Sequence, residues 1–409
     1  MRLTLMAHVV PLFATALAMA APAAHAQQVV RLPAQDRALG FRSQTVFQIG
    51  KEEGRSWEVL SGVRQVAFDR AENLYVLDSG NARVLVFDRT GRFVRQVGKK
   101  GSGPGEFTSP ERLAITGDGS LVVADLARQA FSVFSPDGRF KHTVPYDASY
   151  GISGVGLAAH PRGGVVTGTQ PLPIPGRPAR GNAVVWYPLT ENAKSSRLFE
   201  VAAPASAPSR PVGGAGSGTM IMSTGRPVFS PVLRWDVLPG GGIVTVSTSE
   251  YAVQVRNPNG TLARVLQRPI KPRAVTRRDR EAELERRAER AASGGGTVAI
   301  GVNGQTISPA VQQAAVARHA ATAEFATVMP VVQDLAVDRS GRIWVQRSSA
   351  VAGQPGPVDL LSGDGRYLGT LAAQPVPDAF SPSGRAAYIV KDDLGVERVV
   401  VRALPPLRQ

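Results

Sequence analysis

Two aspartates, Asp78 and Asp125, stand 47 residues apart, and each ends a short apolar run. Carboxylate oxygens are the protein ligands that Ca²⁺ and Mg²⁺ prefer, so both residues are candidate metal ligands. The same position equally suits a carboxylate that caps a turn within its own repeat. The residue type and spacing are compatible with both interpretations.

Other residues with catalytic potential are scarce. The chain has no cysteine, which excludes disulfides and thiolate metal sites. His142, His160 and His319 fall in three separate segments, so they are not expected to meet at one metal. A Gly-x-Ser-x-Gly nucleophile motif is missing, and in the segment 98–105 the lysines precede the glycines, which is the wrong order for a phosphate-binding loop. A catalytic metal would therefore depend on carboxylate and amide oxygens.

The elements that must position these side chains form a repeat. Residues 66–91 reappear without a gap at 113–138, and each copy consists of apolar runs of four to six residues bounded by Gly, Asp, Asn and Pro. This pattern predicts strands joined by tight turns. Four strands in 47 residues is the size of one β-propeller blade.

Four weaker copies follow, each marked by the turn that precedes its second strand. These turns lie at 159–165, 237–243, 337–344 and 380–386. The sixth unit has room for only three strands, the last from Glu397 to Ala403, and the segment from Thr45 to Gly50 is predicted to supply the fourth. Closing the ring in this way removes exposed sheet edges. The sequence thus predicts an all-β fold, a six-bladed β-propeller over residues 27–409.

The register of the six units predicts which side chains reach the central funnel. The position four residues before the aligned Asp69 starts each inner strand, and the end of the second strand faces the same way. Arginines with acidic neighbours in one pore suit a small anionic or sugar-like ligand, although an internal salt-bridge network that plugs the channel would use the same residues. The candidate ligand-binding residues are Gln65, Arg112, Arg234, Asp334 and Arg347.

Two insertions interrupt the repeat. A Pro-, Ala- and Gly-rich loop occupies about 202–223, and a helical insertion after the fourth blade occupies about 273–327. Thr276 and Asp279 form a capping box before a charged helix that runs to Arg290, and a second helix is predicted from Ala310 to Ala326. The charged helix is interpreted either as a solvated arm or as a lid or docking element over one mouth of the propeller.

The N-terminus predicts export. Residues 1–26 read as a signal peptide, with an apolar run after Arg2 and a small-residue cleavage site before Gln27. The mature chain is expected in the periplasm or outside the cell, without a membrane span. The net charge of +15 comes mostly from arginines scattered singly along the chain, so a nucleic-acid partner is not expected.

The segment from Gly98 to Phe107 followed by Pro110, together with Leu74–Asp78 and Asn81–Val84, resembles the signature of NHL repeats. The whole mature chain is similar to exported bacterial six-bladed β-propeller proteins of unassigned function. NHL-like propellers include binding scaffolds as well as metal-dependent lactonases and an amidating lyase. The resemblance therefore implies a fold more than an activity.

Two functions are expected from these observations. The first is an exported binding scaffold for a protein or a small ligand, without catalysis and without a cofactor. The alternative is a metal-dependent hydrolase or lyase of the lactonase type. It would hold Ca²⁺ or another divalent ion in the funnel, with Asp78 and Asp125 as the metal ligands.

Overall fold

A computed structural model describes residues 28–150, 152–170, 181–190, 193–202, 211–212, 221–222, 227–292, 323–351 and 353–406. Six antiparallel sheets form the blades of a β-propeller. The four propeller strands of each blade are called inner, second, third and outer, counted outward from the central axis. The predicted six-bladed fold is confirmed. The predicted signal peptide, residues 1–26, lies outside the described residues.

The first three blades follow the chain without interruption by other elements, apart from a short 3-10 turn at Ala148–Tyr150. Their strands, in order from inner to outer, are Val63–Phe68, Leu74–Asp78, Arg83–Phe87 and Phe93–Val97 in blade 1; Pro110–Ile115, Leu121–Asp125, Ala130–Phe134 and Phe140–Pro145 in blade 2; and Ile152–Ala159, Val165–Gln170, Asn182–Tyr187 and Ser196–Val201 in blade 3.

The two insertions lie between blades 3 and 4 and between blades 4 and 5, and the ring closes in blade 6. The strands of blades 4 to 6, again from inner to outer, are Arg234–Val237, Ile243–Val246, Ala252–Arg256 and Leu262–Gln267 in blade 4; Val332–Val337, Ile343–Arg347, Val358–Leu361 and Tyr367–Leu371 in blade 5; and Ala379–Phe380, Arg385–Lys391, Glu397–Ala403 and Gln44–Ile49 in blade 6. The outer strand of blade 6 therefore comes from the N-terminus, as the sequence predicts.

A fifth strand that the repeat does not predict extends blade 4. Gln28–Arg31 pairs in parallel with the outer strand Leu262–Gln267. The chain then passes the outer strand of blade 5, where Leu39 donates to the carbonyl of Thr370, before it enters blade 6. Residues 28–49 thus form an N-terminal strap along the outer edges of three blades.

The core lies between the blades. The second and third strands are almost wholly buried because each sheet packs on a neighbour through both faces, as in Leu74–Asp78 and Leu121–Asp125. Phe107 is completely buried and meets Phe134 of the second blade edge to face at 5.7 Å. Gly98, at φ +72°, is required there because a Cβ would lie 2.2 Å from the Phe107 ring.

The helical insertion is partly as predicted. The helix spans Arg277–Ala292, and the capping box is present: the Asp279 amide donates to Thr276 Oγ1, and the Thr276 amide donates to an Asp279 carboxylate oxygen. Residues 293–322, which include most of the second predicted helix and His319, lie outside the described residues. Residues 323–326 are not helical, which corrects the predicted helix end, because Phe325 forms a β-bridge with Val228.

Two short strand pairs accompany the insertions. They are Pro211–Val212 with Ile221–Met222, inside the predicted Pro-, Ala- and Gly-rich loop, and Arg273–Ala274 with Val328–Met329, at the base of the helical insertion. Within the described residues, no helix has both the length and the apolar character needed to cross a membrane.

Candidate functional site

The inner strands of all six blades surround a central cavity of about 480 Å³. The cavity is lined by these strands and by the turns that lead to the second strands, so it opens toward the face that carries those turns. The sequence prediction placed the site toward the opposite face, at the starts of the inner strands.

One position of the inner strand forms a ring around this cavity. Five blades place an alanine there and blade 4 places a carboxylate; the six residues are Ala67, Ala114, Ala158, Asp236, Ala336 and Ala379. Small side chains leave the lumen open, and Asp236 is the only charged member of the ring. Sequence reasoning missed this residue, although the register of the repeat would have singled it out.

The Asp236 carboxylate is held by backbone amides from two blades. One oxygen accepts from Val237 at 2.8 Å, and the other accepts from Val337 of blade 5 at 2.6 Å. Burial raises the pKa of Asp236 to about 6, and the nearby Asp334 carboxylate adds to the rise, whereas the two amides and Arg339 oppose it. Asp236 is thus a hydrogen-bond acceptor held in place by two amides, with a pKa of about 6.

A second carboxylate lies on the same side of the channel. Asp378 of blade 6 accepts from the Ile389 amide at 2.7 Å, and burial raises its pKa to about 6, with Asp334 again contributing. Blades 4 and 6 therefore give the channel an acidic side.

On the opposite side, the inner strands of blades 1 to 3 contribute no charged side chain to the lining, and the charged residues Asp69 and Arg70 lie in the turn that follows the inner strand of blade 1. Gln65 lines the cavity there, as predicted, but its amide is already engaged by the inner strands of two other blades. Its Nε2 donates to the carbonyl of Leu157 at 3.2 Å, and its Oε1 accepts from the amide of Leu113 at 3.2 Å. Gln65 therefore ties three blades together across the channel.

Arg339 and His160 lie at the turn end of the cavity. Arg339 donates to the carbonyls of Phe380 at 3.2 Å and Phe68 at 3.0 Å, which links blade 5 to blades 6 and 1. His160 is buried, accepts from the Arg162 amide at Nδ1, and donates from Nε2 to the carbonyl of Gly241. Burial lowers the pKa of His160, so the imidazole is a neutral structural group.

The other predicted ligand residues lie outside the cavity lining. Arg234 and Asp334 are brought together, with Nε and Oδ1 3.7 Å apart, and both side chains are about half exposed. Arg112 donates to the carbonyl of its neighbour Glu111 at 2.7 Å. Arg347 is turned away toward the strap, where it pairs with Asp36 at 2.6 Å. Ligand binding by these residues stays a prediction.

Asp78 and Asp125 are completely buried and fully engaged in their own blades. Asp78 accepts from the Ser61 amide at 2.8 Å, from the Asn81 side chain at 2.9 Å and from Arg83 Nε at 2.7 Å. Asp125 likewise accepts three backbone amides, from Thr108, Ser109 and Arg128. Both carboxylates thus have the geometry of the turn-capping interpretation, which leaves little room for an ion.

The described residues do not provide the cluster of side-chain ligands that a divalent ion would need. Among them, no group of three or more His, Asp or Glu side chains is placed to hold a metal ion. The acidic side of the channel offers Asp236 and Asp378, but backbone amides already occupy oxygens of both carboxylates.

Comparisons with known proteins identify the fold. Residues 58–153 match a family model described as a six-bladed β-propeller, DUF5128. A search of curated proteins found no match. Among solved structures, the chain is similar to a protein from Bacteroides fragilis described as exported, with 11% identity, a TM-score of 0.50, and coverage of 92% of this chain and 99% of the other.

Two enzymes of known structure show weaker similarity. A gluconolactonase from Xanthomonas campestris is 13% identical, with a TM-score of 0.46, and the match covers 89% of this chain and 90% of the other. A streptogramin B lyase is 10% identical, with a TM-score of 0.44 and coverage of 89% and 98%. At sequence identities this low, the activity of a similar structure cannot be assigned to this chain. The sheet order and the family model together show that the chain is a six-bladed β-propeller.

Proposed function

We propose that this propeller is a binding protein that holds a small ligand in its central channel and does not catalyse a reaction. The observation that carries the proposal is Asp236, a single carboxylate in a ring of five alanines around a cavity of about 480 Å³. A largely apolar lumen with a few fixed polar groups is the usual composition of a ligand site.

The polarity of the channel narrows the ligand class. Asp236 and Asp378 present carboxylates on one side, whereas the inner strands of blades 1 to 3 contribute only uncharged side chains, among them the engaged amide of Gln65. Carboxylates accept hydrogen bonds and repel anions. We therefore favour a sugar-like or amine-bearing ligand, which donates O–H or N–H groups, over the anionic ligand that the arginines suggest in the sequence.

Calorimetric titration with neutral sugars and small amines tests this proposal. We expect at least one compound to bind wild-type protein and to lose about tenfold or more in affinity in Asp236→Ala, since a hydrogen bond to a charged group contributes about 1.5 to 3 kcal/mol. The matched control is Asp364→Ala, which removes an exposed carboxylate of a surface ion pair. Equal affinities in all three proteins would refute a channel site at Asp236.

The alternative, a metal-dependent hydrolase or lyase with a divalent ion in the funnel, makes a different prediction. Such a protein would bind Ca²⁺ and would gain thermal stability from it. Turnover of a lactone that requires Ca²⁺ and disappears in Asp236→Ala would replace the binding proposal with this one.

Export to the periplasm or the outside is part of the proposal and is supported by the sequence of residues 1–26. Mass spectrometry of protein recovered from the periplasm or the medium should show a mature chain that starts at Gln27. Recovery of only the full-length chain from the cytoplasm would argue against export.

A further inference from the structure

A second cavity, of about 290 Å³, lies between the helix Arg277–Ala292 and the start of blade 5. Its walls come from three parts of the chain: Phe229 from the segment before blade 4, Arg286 from the helix, and the blade 5 residues Gln333 and Gln346. The helical insertion and the segment just before blade 4 thus meet blade 5 at one small cavity, which is separate from the central channel.

Phe229 gives this cavity an aromatic wall in a strained conformation. Its backbone has φ +67°, which is unusual for a bulky residue and is found disproportionately at functional sites. Neighbouring hydrogen bonds impose it, because the Val228 amide donates to the Glu324 carbonyl and the Ala326 amide donates to the Val228 carbonyl. The ring packs on Phe325 at 5.8 Å and is only half-buried, so part of its surface faces the cavity.

The two glutamines supply fixed hydrogen-bond acceptors. Gln333 Nε2 donates to the carbonyl of Pro330 at 3.0 Å, and Gln346 Nε2 donates to the carbonyl of Gln374 at 2.8 Å. Each bond fixes the orientation of an amide whose nitrogen is committed and whose Oε1 remains available as an acceptor. Two amide oxygens beside an aromatic wall suit a ligand that carries several hydroxyl groups.

The charged groups at this cavity compensate one another. Arg273 binds Asp279 through two contacts of 2.6 and 2.8 Å, and Arg286 pairs with Glu283 at 2.6 Å. Arg347, which also lines the cavity, pairs with Asp36 at 2.6 Å. The cavity therefore carries polar groups without a strong net field, which favours a neutral ligand over an ion. Its volume is near the lower end of ligand-pocket volumes, about 300 Å³, so the ligand must be small.

We propose that this cavity binds a neutral, hydroxylated ligand of monosaccharide size. The apolar face of the ligand's ring lies against the Phe229 side chain, and the hydroxyl groups of the ligand donate to the amide oxygens of Gln333 and Gln346. The aromatic side chain contacts the apolar face of such a ligand, and the amide groups beside it accept hydrogen bonds from the ligand's hydroxyls. This site is additional to the proposed channel site and does not depend on it.

Saturation-transfer NMR on the full mature chain, with D-glucose, D-galactose, D-mannose and N-acetyl-D-glucosamine as probes, tests the inference. We expect binding of at least one sugar to wild type and a loss of about fivefold or more in Phe229→Asn and in Gln346→Met. Asparagine is well accommodated at positive φ, so the first variant removes the ring without adding backbone strain. Thermal denaturation of each variant checks that it is folded.

The control is Gln96→Met, which removes an exposed glutamine that also donates to a backbone carbonyl, far from the cavity in sequence. It should bind the sugar as wild type does. Sugar binding that survives both cavity variants, or that is absent from wild type, overturns the inference. A sugar that is lost in Asp236→Ala but kept in Phe229→Asn belongs to the channel, which also overturns the inference while supporting the proposed function.

Discussion

Arg268 of blade 4 and Asp359 of blade 5 form an ion pair in which both side chains are completely buried and Nη1 lies 2.8 Å from Oδ2. The other guanidinium nitrogens of Arg268 bind the carbonyls of Pro33 and Gln35 and the carboxylate of Asp36, all in the N-terminal strap. The buried guanidinium of this one arginine thus connects two blades and the strap.

Asp359→Ala should be strongly destabilising, because it removes the buried carboxylate partner of Arg268 and leaves that buried charge with only the partly exposed carboxylate of Asp36. Loss of one member of a buried pair typically costs about 3 to 5 kcal/mol. The denaturation midpoint in urea measures the effect. Asp364→Ala, which breaks a largely exposed pair with Arg366, should change the midpoint little. Similar midpoints for the two variants would show that the buried pair contributes no more than a surface one.

Asp279→Ala should release the start of the helix from the propeller. Asp279 is buried, caps the helix through Thr276 and binds Arg273, and these contacts hold the pKa of its carboxyl well below the usual range. The helix contains many arginines, so trypsin should cleave the variant severalfold faster than wild type. Glu281→Ala is the matched control, since its pair with Arg277 is exposed on the same helix. Equal cleavage rates would contradict the docking role.

The raised pKa of Asp236 predicts how stability depends on pH. The folded state holds its proton up to about pH 6, whereas the unfolded state releases it near 3.8. Folding therefore binds more protons between these values, and the contribution of Asp236 to stability falls as the pH rises from about 4 to 6. The melting temperature of wild type relative to Asp236→Asn should decrease across this window, and a constant or rising difference would contradict it.

Asp125→Ala tests the structural interpretation of the repeated aspartates. Three backbone amides lose their acceptor, and buried unsatisfied donors cost about 1 to 3 kcal/mol each, so we expect a loss of roughly 3 kcal/mol in unfolding free energy. Asp137→Ala, at an exposed turn of the same blade, should have little effect. A stability gain on addition of Ca²⁺ to wild type that Asp125→Ala abolishes would instead favour the metal interpretation.

The sequence predicts the propeller well because the repeat is a local pattern that recurs at a constant spacing. The closing strand Gln44–Ile49 is predictable for the same reason, since the sixth unit is one strand short. The strand Gln28–Arg31 is not predictable, because it adds to blade 4 outside the repeat and its partner strand lies more than 200 residues away in the chain. Pairing over that distance leaves no periodic signal.

The site is less predictable because the contacts of a side chain depend on which segments pack around it in the folded protein. Arg347 occupies the expected strand end, but Asp36 of the strap draws its guanidinium away from the channel. Gln65 reaches the channel as expected, yet its amide is engaged by two neighbouring blades. Asp236 could have been found from the register alone, as the position at which five alanines meet one carboxylate.

Closure of the ring by Gln44–Ile49 also imposes an order on folding. This strand is synthesised early, and its partner Glu397–Ala403 follows roughly 350 residues later in the chain, which at about 5 to 20 residues per second means a delay of tens of seconds. Contacts of such long sequence separation form slowly. The nascent chain must therefore carry an unpaired strand for most of its synthesis, and the ring can close only after the last blade has been made.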